Sequence, residues 1–181
     1  MAVIDVPDPQ VAPAHASSHP VPRQAFVNAM ARAVTGVSVV ATDGPAGRFA
    51  LTVSAVASVS AEPPLLLACI SRCNPLRAAL LGNGVFTISL LAAGQAEVAD
   101  VCAGRGPGRP FDVDAIAWGS GRGGLPVVAG SSAVFECVLE TAHEAGSHTI
   151  VIGRVVEAAA VDAAPLLYSQ RRYGHPELCA A

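Results

Sequence analysis

The sequence predicts a single, mostly β domain: an antiparallel barrel with a few peripheral helices. A length of 181 residues suits one domain, and 52% hydrophobic residues supply ample material for a core. Short apolar runs of strand length recur along the chain, and clusters of Gly, Pro, Asp and Ser separate them. Strands at such short spacing, joined by hairpin turns, are typical of antiparallel barrels.

The N-terminal part divides at about residue 22. Residues 1–22 are rich in Pro, Ala, Val, His and Ser without any period, which predicts a flexible tail, and the domain then runs over 23–181. From Arg23 the spacing of apolar residues predicts a helix that ends at Gly36, and its apolar face is formed by Phe26, Met30, Ala33 and Val34.

The next elements are strands joined by tight turns. Residues 37–42 and 49–53 are predicted strands, separated by a turn over 43–47. The run 65–70 is unbroken apolar, which is typical of a strand buried on both faces. Because proline cannot donate to a sheet ladder, Pro63 and Pro64 predict a corner before this strand.

The second half of the chain alternates short helices and strands. Asn74 and Pro75 predict the start of a helix over 76–81, and a second helix is predicted over 95–103. Further strands are predicted over 85–90, 116–118, 133–140 and 149–156, with a turn at 146–148 between the last two. The closing stretch, 165–174, carries both tyrosines of the chain.

Composition and charge argue against several classes of partner. A net charge of −3 gives no basic footprint for nucleic acid, and the apolar runs are far shorter than the roughly 20 residues that span a bilayer. The five cysteines show no paired metal-ligand spacing, so no metal site is predicted. Without a visible secretory signal, we expect a cytoplasmic protein with free thiols.

The glycine-rich stretch 104–108 is not a dinucleotide-binding loop. That fingerprint needs a strand before it and a helix after it, whereas here a helix precedes and a proline-containing loop follows. A better candidate is the set of small hydroxyl residues that begins near the end of the strand 49–53, namely Thr52, Ser54, Ser58 and Ser60. They either admit a flat ligand or a phosphate close to the backbone, or simply line the wet face of a strand.

Five pieces of sequence, taken in order, resemble one family. They are TGVSVVAT at 35–42, LTVS at 51–54, SVSAEPPL at 58–65, GSHTI at 146–150 and PLLY at 165–168. In this order and spacing they resemble the flavin reductases with the FMN-binding split-barrel fold, the NAD(P)H:flavin oxidoreductases of two-component monooxygenases. The resemblance covers roughly residues 24–174 and implies a split β-barrel, antiparallel, with a few helices.

The resemblance also implies roles for individual residues. Thr52, Val53, Ser54 and Ala55 would line the flavin ring and ribityl chain, with Ser58 nearby. Ser71, Arg72 and Asn74 would lie near the flavin phosphate, where an arginine and the free N–H groups of a helix start suit an anion. His148 would lie near the nicotinamide as the catalytic residue, and Phe111 would help to cover the cofactor.

The function implied is transfer of a hydride from NADH or NADPH to flavin N5. Reduced FMN or FAD would then diffuse to a partner monooxygenase, and the reductase would be a homodimer. The chain has Ser147 where the family usually has aspartate, and Ala50, Ala55 and Val56 also depart from the pattern, so we expect flavin to exchange as a substrate. The alternative is a split-barrel protein that binds flavin, or haem, without turning over nicotinamide.

Overall fold

The computed structural model describes residues 20–105 and 116–177, which form three helices and twelve strands. The helices are α1 (Arg23–Met30), α2 (Pro75–Asn83) and α3 (Ala96–Cys102). The strands are β1 (Thr35–Gly36), β2 (Ser38–Thr42), β3 (Phe49–Val53), β4 (Val56–Ala61), β5 (Pro64–Ser71), β6 (Val85–Leu90), β7 (Trp118–Ser120), β8 (Pro126–Val128), β9 (Ala133–Ala145), β10 (His148–Ala160), β11 (Leu167–Ser169) and β12 (Arg172–Gly174).

Seven strands form the main antiparallel sheet in the order β3-β2-β6-β9-β10-β5-β4. Two smaller sheets, β1-β11-β12 and β7-β8, lie beside it. The sheet curls, because the end of β3 at one edge and the ends of β5 and β10 near the other line one cavity. The predicted antiparallel, mostly β fold with a few helices is confirmed.

Strand β2 lies at the centre of the molecule, and all five of its residues are buried. Successive side chains of a strand point to opposite faces, so β2 serves two cores. On one face Val40 packs with Phe86, Ile88 and other residues of the barrel interior. On the other face Val39 and Ala41 pack in the core that includes α3 and β8.

The barrel interior is close-packed where β10 crosses β9. A side chain added at Gly153 would overlap the ring of Phe86 and approach the Cβ of Cys137 at 2.8 Å. Forcing extra atoms into such a site typically costs about 1–3 kcal/mol of stability. Gly153 is therefore required by close approach of its neighbours rather than by backbone conformation.

Most predicted elements are confirmed, and the differences have physical causes. The prediction that strand β5 is buried on both faces is wrong. Ala68 and Ile70 are buried, but Leu65, Leu67 and Cys69 on the other face are only half-buried. The helix α1 begins at Arg23 as predicted, but it ends at Met30 rather than at Gly36, because residues 35–36 pair with β11 as strand β1. Phe26 and Met30 are more than half exposed, because no described element covers that face.

Several boundaries also differ from the predictions. Strands β9 and β10 are 13 residues each: β9 continues through residues 141–145 to the two-residue turn, and β10 continues through residues 157–160, which pair with the start of β9. Strand β7 begins at Trp118 rather than residue 116, and the hairpin β11–β12 was not predicted as strands. Residues 1–19 of the predicted tail lie outside the described residues, as does Phe111.

Candidate functional site

Six of the predicted site residues meet at one cavity of about 260 Å³. The cavity lies where β3 ends and β5 meets β10. Its lining comprises the predicted residues Thr52, Val53, Ser54, Ala55, Ser71 and His148, together with Leu51 and Cys69. Residues from three separate parts of the sequence are thus brought together at one open edge of the barrel.

The strand register explains why these side chains converge. Ser71 and His148 lie opposite each other in the β5–β10 ladder, so their side chains share a face of the sheet. Cys69, two residues before Ser71, points to the same face and also lines the cavity. On the facing wall, the Thr52 hydroxyl donates to the Ala99 carbonyl of α3 at 2.7 Å, which fixes the end of β3.

His148 stands at the end of a tight hairpin turn. The turn between β9 and β10 consists of Gly146 and Ser147, and Gly146 has a φ of 58°, which favours glycine. The Ser147 hydroxyl lies 2.9 Å from Nδ1 of His148, which is exposed. This contact orients the imidazole while leaving Nε2 available to a ligand.

An ion-pair network braces the same hairpin from its other face. Glu144 pairs with Arg77 of α2 and, at 2.8 Å, with the Nε of Arg72, and it accepts from the Thr149 hydroxyl at 3.0 Å. Hydrogen bonding to Arg77 first, then to Thr149, lowers the pKa of Glu144 below its ordinary value. Because Glu144 is opposite Thr149 in the ladder, the network lies on the face away from His148.

Arg72 also holds the tip of the hairpin through its backbone. Its amide donates to the Ser147 carbonyl at 3.0 Å, and its guanidinium donates to the Gly146 carbonyl at 3.3 Å. Arg72 does not line the cavity, although it follows Ser71, which does. Ser58, exposed on β4 opposite Leu66, is not part of the lining either.

The prediction that the start of α2 offers free backbone N–H groups is wrong. Asn74 caps this helix as predicted: its side chain accepts from the Leu76 amide at 2.9 Å. Its carbonyl accepts from the Arg77 amide at 3.1 Å, and Pro75 has no N–H to offer. The first turn of the helix therefore satisfies its own donors, and an anion here would depend on side chains instead.

A second cavity, of about 140 Å³, adjoins the first and shares Thr52 and Ser54 with it. A polar network lies at its wall: the Tyr173 hydroxyl donates to Asp100 at 2.8 Å and accepts from Arg105 at 3.0 Å. Arg105 also contacts Asp100 at 3.2 Å. Burial and then the hydrogen bond to Asp100 raise the pKa of Tyr173.

Tyr173, Tyr168 and Asp100 were missed as site residues by sequence reasoning. The two tyrosine rings pack at 5.3 Å between centroids, and both line the second cavity. Their pairing across β11 and β12 depends on a hairpin whose turn lacks the usual glycine or asparagine. The presence of both tyrosines in residues 165–174 was the available signal, and it did not indicate where they lie.

The chemistry of the lining fits a flavin. Hydroxyl groups of Thr52, Ser54 and Ser71 can bond polar ring edges and a ribityl chain, and the small side chain of Ala55 leaves room beside the backbone. Within residues 20–105 and 116–177, no three His, Cys, Asp or Glu residues are grouped to hold a metal ion. No helix in those ranges is long and apolar enough to cross a membrane.

Comparisons with known proteins identify the family of this chain. Residues 30–177 match the family model described as flavin reductase like domain. The chain is 41% identical over 159 residues to the FMN reductase (NADH) RutF 1 of Methylorubrum extorquens, covering 85% of this chain and 77% of that protein. It is 37% identical to the FMN reductase (NADH) RutF of Variovorax paradoxus, covering 84% of each.

Solved structures show the same fold. The NADH:FAD oxidoreductase SgcE6 of Streptomyces globisporus, in complex with NAD and FAD fragments, has a TM-score of 0.81 at 29% identity, over 90% of this chain and 98% of that one. The flavin reductase BorF of a bacterial two-component tryptophan halogenase has a TM-score of 0.77 at 33% identity, over 85% and 98%. The predicted split-barrel fold and enzyme class are confirmed, and the chain belongs to the flavin reductase family.

Proposed function

We propose that this protein uses NADH to reduce FMN, which it binds in the cavity at His148 as an exchanging substrate. The observation that carries this proposal is the convergence of Thr52, Ser54, Ser71 and His148 on one cavity. Relatives covering most of this chain are named FMN reductase (NADH), which favours FMN over FAD and NADH over NADPH.

The residues of the cavity have separate tasks in this proposal. Thr52 to Ala55 line the flavin ring and ribityl chain, and Ser71 bonds the chain beyond the ring. Arg72 lies next to Ser71 and supplies positive charge to the phosphate, and the side-chain amide of Asn74 is proposed to donate to it. Ser58 is proposed to contact the flavin from outside this lining. Phe111, which lies outside the described residues, keeps its predicted role of helping to cover the cofactor.

His148 is proposed as the residue that meets the nicotinamide. When flavin and NADH are bound, the two cofactors supply the hydride acceptor and donor, so the protein needs no strong base. The Ser147 hydroxyl holds the imidazole through Nδ1, and Nε2 then donates to or accepts from the ligand. Orientation of two stacked rings is the main contribution of such a site.

The direct test is oxidation of NADH, followed at 340 nm, with and without added FMN, FAD or riboflavin. We expect oxidation that depends on added flavin, with the highest kcat/KM for FMN and a lower one with NADPH. Quenching of FMN fluorescence without NADH oxidation under any pairing would contradict the proposal and would favour a non-catalytic flavin-binding protein.

We further propose that the reduced flavin leaves for a separate oxygenase. Similar solved structures include the reductases of a tryptophan halogenase and of styrene monooxygenase. The cavity is open at the barrel edge, where His148 is exposed, so product can depart without a large rearrangement. Oxidation by an unrelated flavin-dependent oxygenase, supplied with this reductase and physically separated by a dialysis membrane, should persist if diffusion suffices.

The outer face of β5 and β10 is proposed as the surface of a homodimer. Leu67 lies opposite Ile152, and Cys69 lies opposite Ile150, which makes a half-buried apolar stripe ending at the cavity. A second copy would cover this stripe and lie next to the flavin. Light scattering should give a dimer for the native chain and a monomer for Leu67→Glu, whereas a native monomer would contradict the assignment.

A further inference from the structure

A third cavity extends the cleft away from His148. It measures about 290 Å³, lies between α1 and the β11–β12 hairpin, and shares Ser54 with both other cavities. Tyr168 also lines both this cavity and the second one. Three neighbouring cavities, here together called the cleft, therefore lie in a row from His148, past Ser54 and Tyr168, to the tip of the β11–β12 hairpin.

Arg171 lies at the far end of this cleft and has no partner among the described residues. Six of the described arginines make ion pairs with carboxylates: Arg48, Arg72, Arg77, Arg105, Arg122 and Arg154. Arg171 makes none, and no acidic residue appears in the lining of its cavity. A cation that lines a cavity without a protein counter-ion suits an anionic ligand.

The backbone of the hairpin tip holds Arg171 in this position at a cost. Gln170 and Arg171 form its two-residue turn with φ values of 48° and 63°, where Asn-Gly is the usual choice. Residues other than glycine lose roughly 1–2 kcal/mol each in this conformation. The Gln170 amide donates to the Ala31 carbonyl at 2.8 Å, which ties the turn to α1.

We propose that this third cavity binds the phosphate end of the nicotinamide dinucleotide and that Arg171 pairs with its phosphates. The inference rests on the proposed function, which places flavin and nicotinamide at His148. The proposed function also puts the flavin phosphate toward Arg72, which leaves the α1 side for the second nucleotide. Val27 and Met30 of α1 add apolar surface to the cavity, on which the adenine base can lie.

The test replaces Arg171 by glycine, which accepts the observed φ and therefore leaves the turn intact. Because Arg171→Gly would lose charge-assisted hydrogen bonds to the phosphates, we expect its KM for NADH to rise about tenfold. Its kcat and its KM for FMN should change little. Equilibrium titration with NAD⁺ in the absence of flavin should show the same loss of affinity. Arg171→Lys keeps the charge but not the two-pronged guanidinium, so its KM for NADH should lie between those of the native protein and Arg171→Gly.

Arg172 provides the matched control. It is the next residue, carries the same charge and is exposed, but it does not line the cavity. Arg172→Ala should leave KM and NAD⁺ affinity within about twofold of native. Equal losses in the Arg171 and Arg172 variants, or no loss in either, would overturn the proposal, whereas a native protein that does not oxidise NADH at all would overturn the proposed function instead.

Discussion

Two hairpins of this protein end in two-residue turns at opposite ends of one cleft, and they are built in opposite ways. The β9–β10 turn has Gly146 at positive φ, and the ion pairs of Glu144 brace it. The β11–β12 turn places Gln170 and Arg171 at positive φ and shows no ion pair among the described residues. The first turn follows backbone preference, whereas the second opposes it, which fits the proposal that Arg171 contacts a ligand.

We expect the largest loss of activity on removal of His148, which lies at the turn of the β9–β10 hairpin. His148→Ala should lower kcat/KM for NADH by about tenfold or more, because a hydrogen bond to the reacting pair is lost. The affinity for FMN should change much less. Steady-state kinetics and a flavin fluorescence titration measure the two quantities, and equal losses in both would contradict the place assigned to His148.

Ser147→Ala tests whether the contact with Nδ1 of His148 contributes to activity. The substitution removes the contact at Nδ1 but leaves the imidazole in place, so we expect a smaller loss in kcat/KM, of about threefold to fivefold. A loss as large as that of His148→Ala would mean that the serine itself contacts the ligand.

Arg72 belongs to the brace and is also proposed to bind phosphate. Arg72→Ala should weaken FMN by about fivefold and riboflavin less, because riboflavin lacks the phosphate. Glu144→Ala is the control, since it releases the brace without removing the cation. If the two variants weaken both flavins alike, Arg72 acts only by holding the hairpin.

Substitutions in the two turns test whether backbone strain distinguishes the two hairpins. Gly146→Ala should lower the free energy of unfolding by about 1 kcal/mol, and Gln170→Gly should raise it by up to about 1 kcal/mol. Urea denaturation measures both. Two changes of the same sign would show that backbone strain does not distinguish the hairpins.

The smallest effect that we expect is a pH dependence of the stabilisation by the ion pairs of Glu144. Because Arg77 and Thr149 lower the pKa of Glu144 in the folded protein, the stabilisation is present above the ordinary carboxyl pKa of 4.5 and is lost as the pH falls through the lowered value. The difference in urea midpoint between native protein and Glu144→Gln should shrink below pH 4.5. A difference that stays constant with pH would show that the ion pairs do not stabilise the hairpin.

Much of the site could be predicted because its signals are local. The hydroxyl residues after β3, the cap at Asn74 and the glycine before His148 each act through neighbours in sequence. The ion-pair network of Glu144 could not be predicted, because Arg77 and Glu144 are 67 residues apart. They meet only because β5, which precedes α2, pairs with β10, and β10 pairs with β9. Nor could the strained turn be predicted, because Gln170 and Arg171 lack any turn signature.

The fold showed a similar division. Apolar runs and turns predicted most strands, but they do not report how far a ladder continues when its side chains are polar. Strand β9 therefore extends past Glu140 to Ala145, where pairing with β10 rather than burial maintains it. The exposed face of α1 shows the same limit, since helical spacing reveals an apolar face but not what covers it.

The two proposals together assign the two hairpins to different parts of one donor, His148 to the nicotinamide and Arg171 to the phosphates. The most direct measurement compares kcat/KM for NADH with that for a phosphate-free dihydronicotinamide, using FMN as acceptor, in native protein, His148→Ala and Arg171→Gly. We expect His148→Ala to lose activity with both donors, whereas Arg171→Gly should lose it only with NADH. If Arg171→Gly is equally impaired with the phosphate-free donor, or unimpaired with NADH, the division between the two hairpins is wrong.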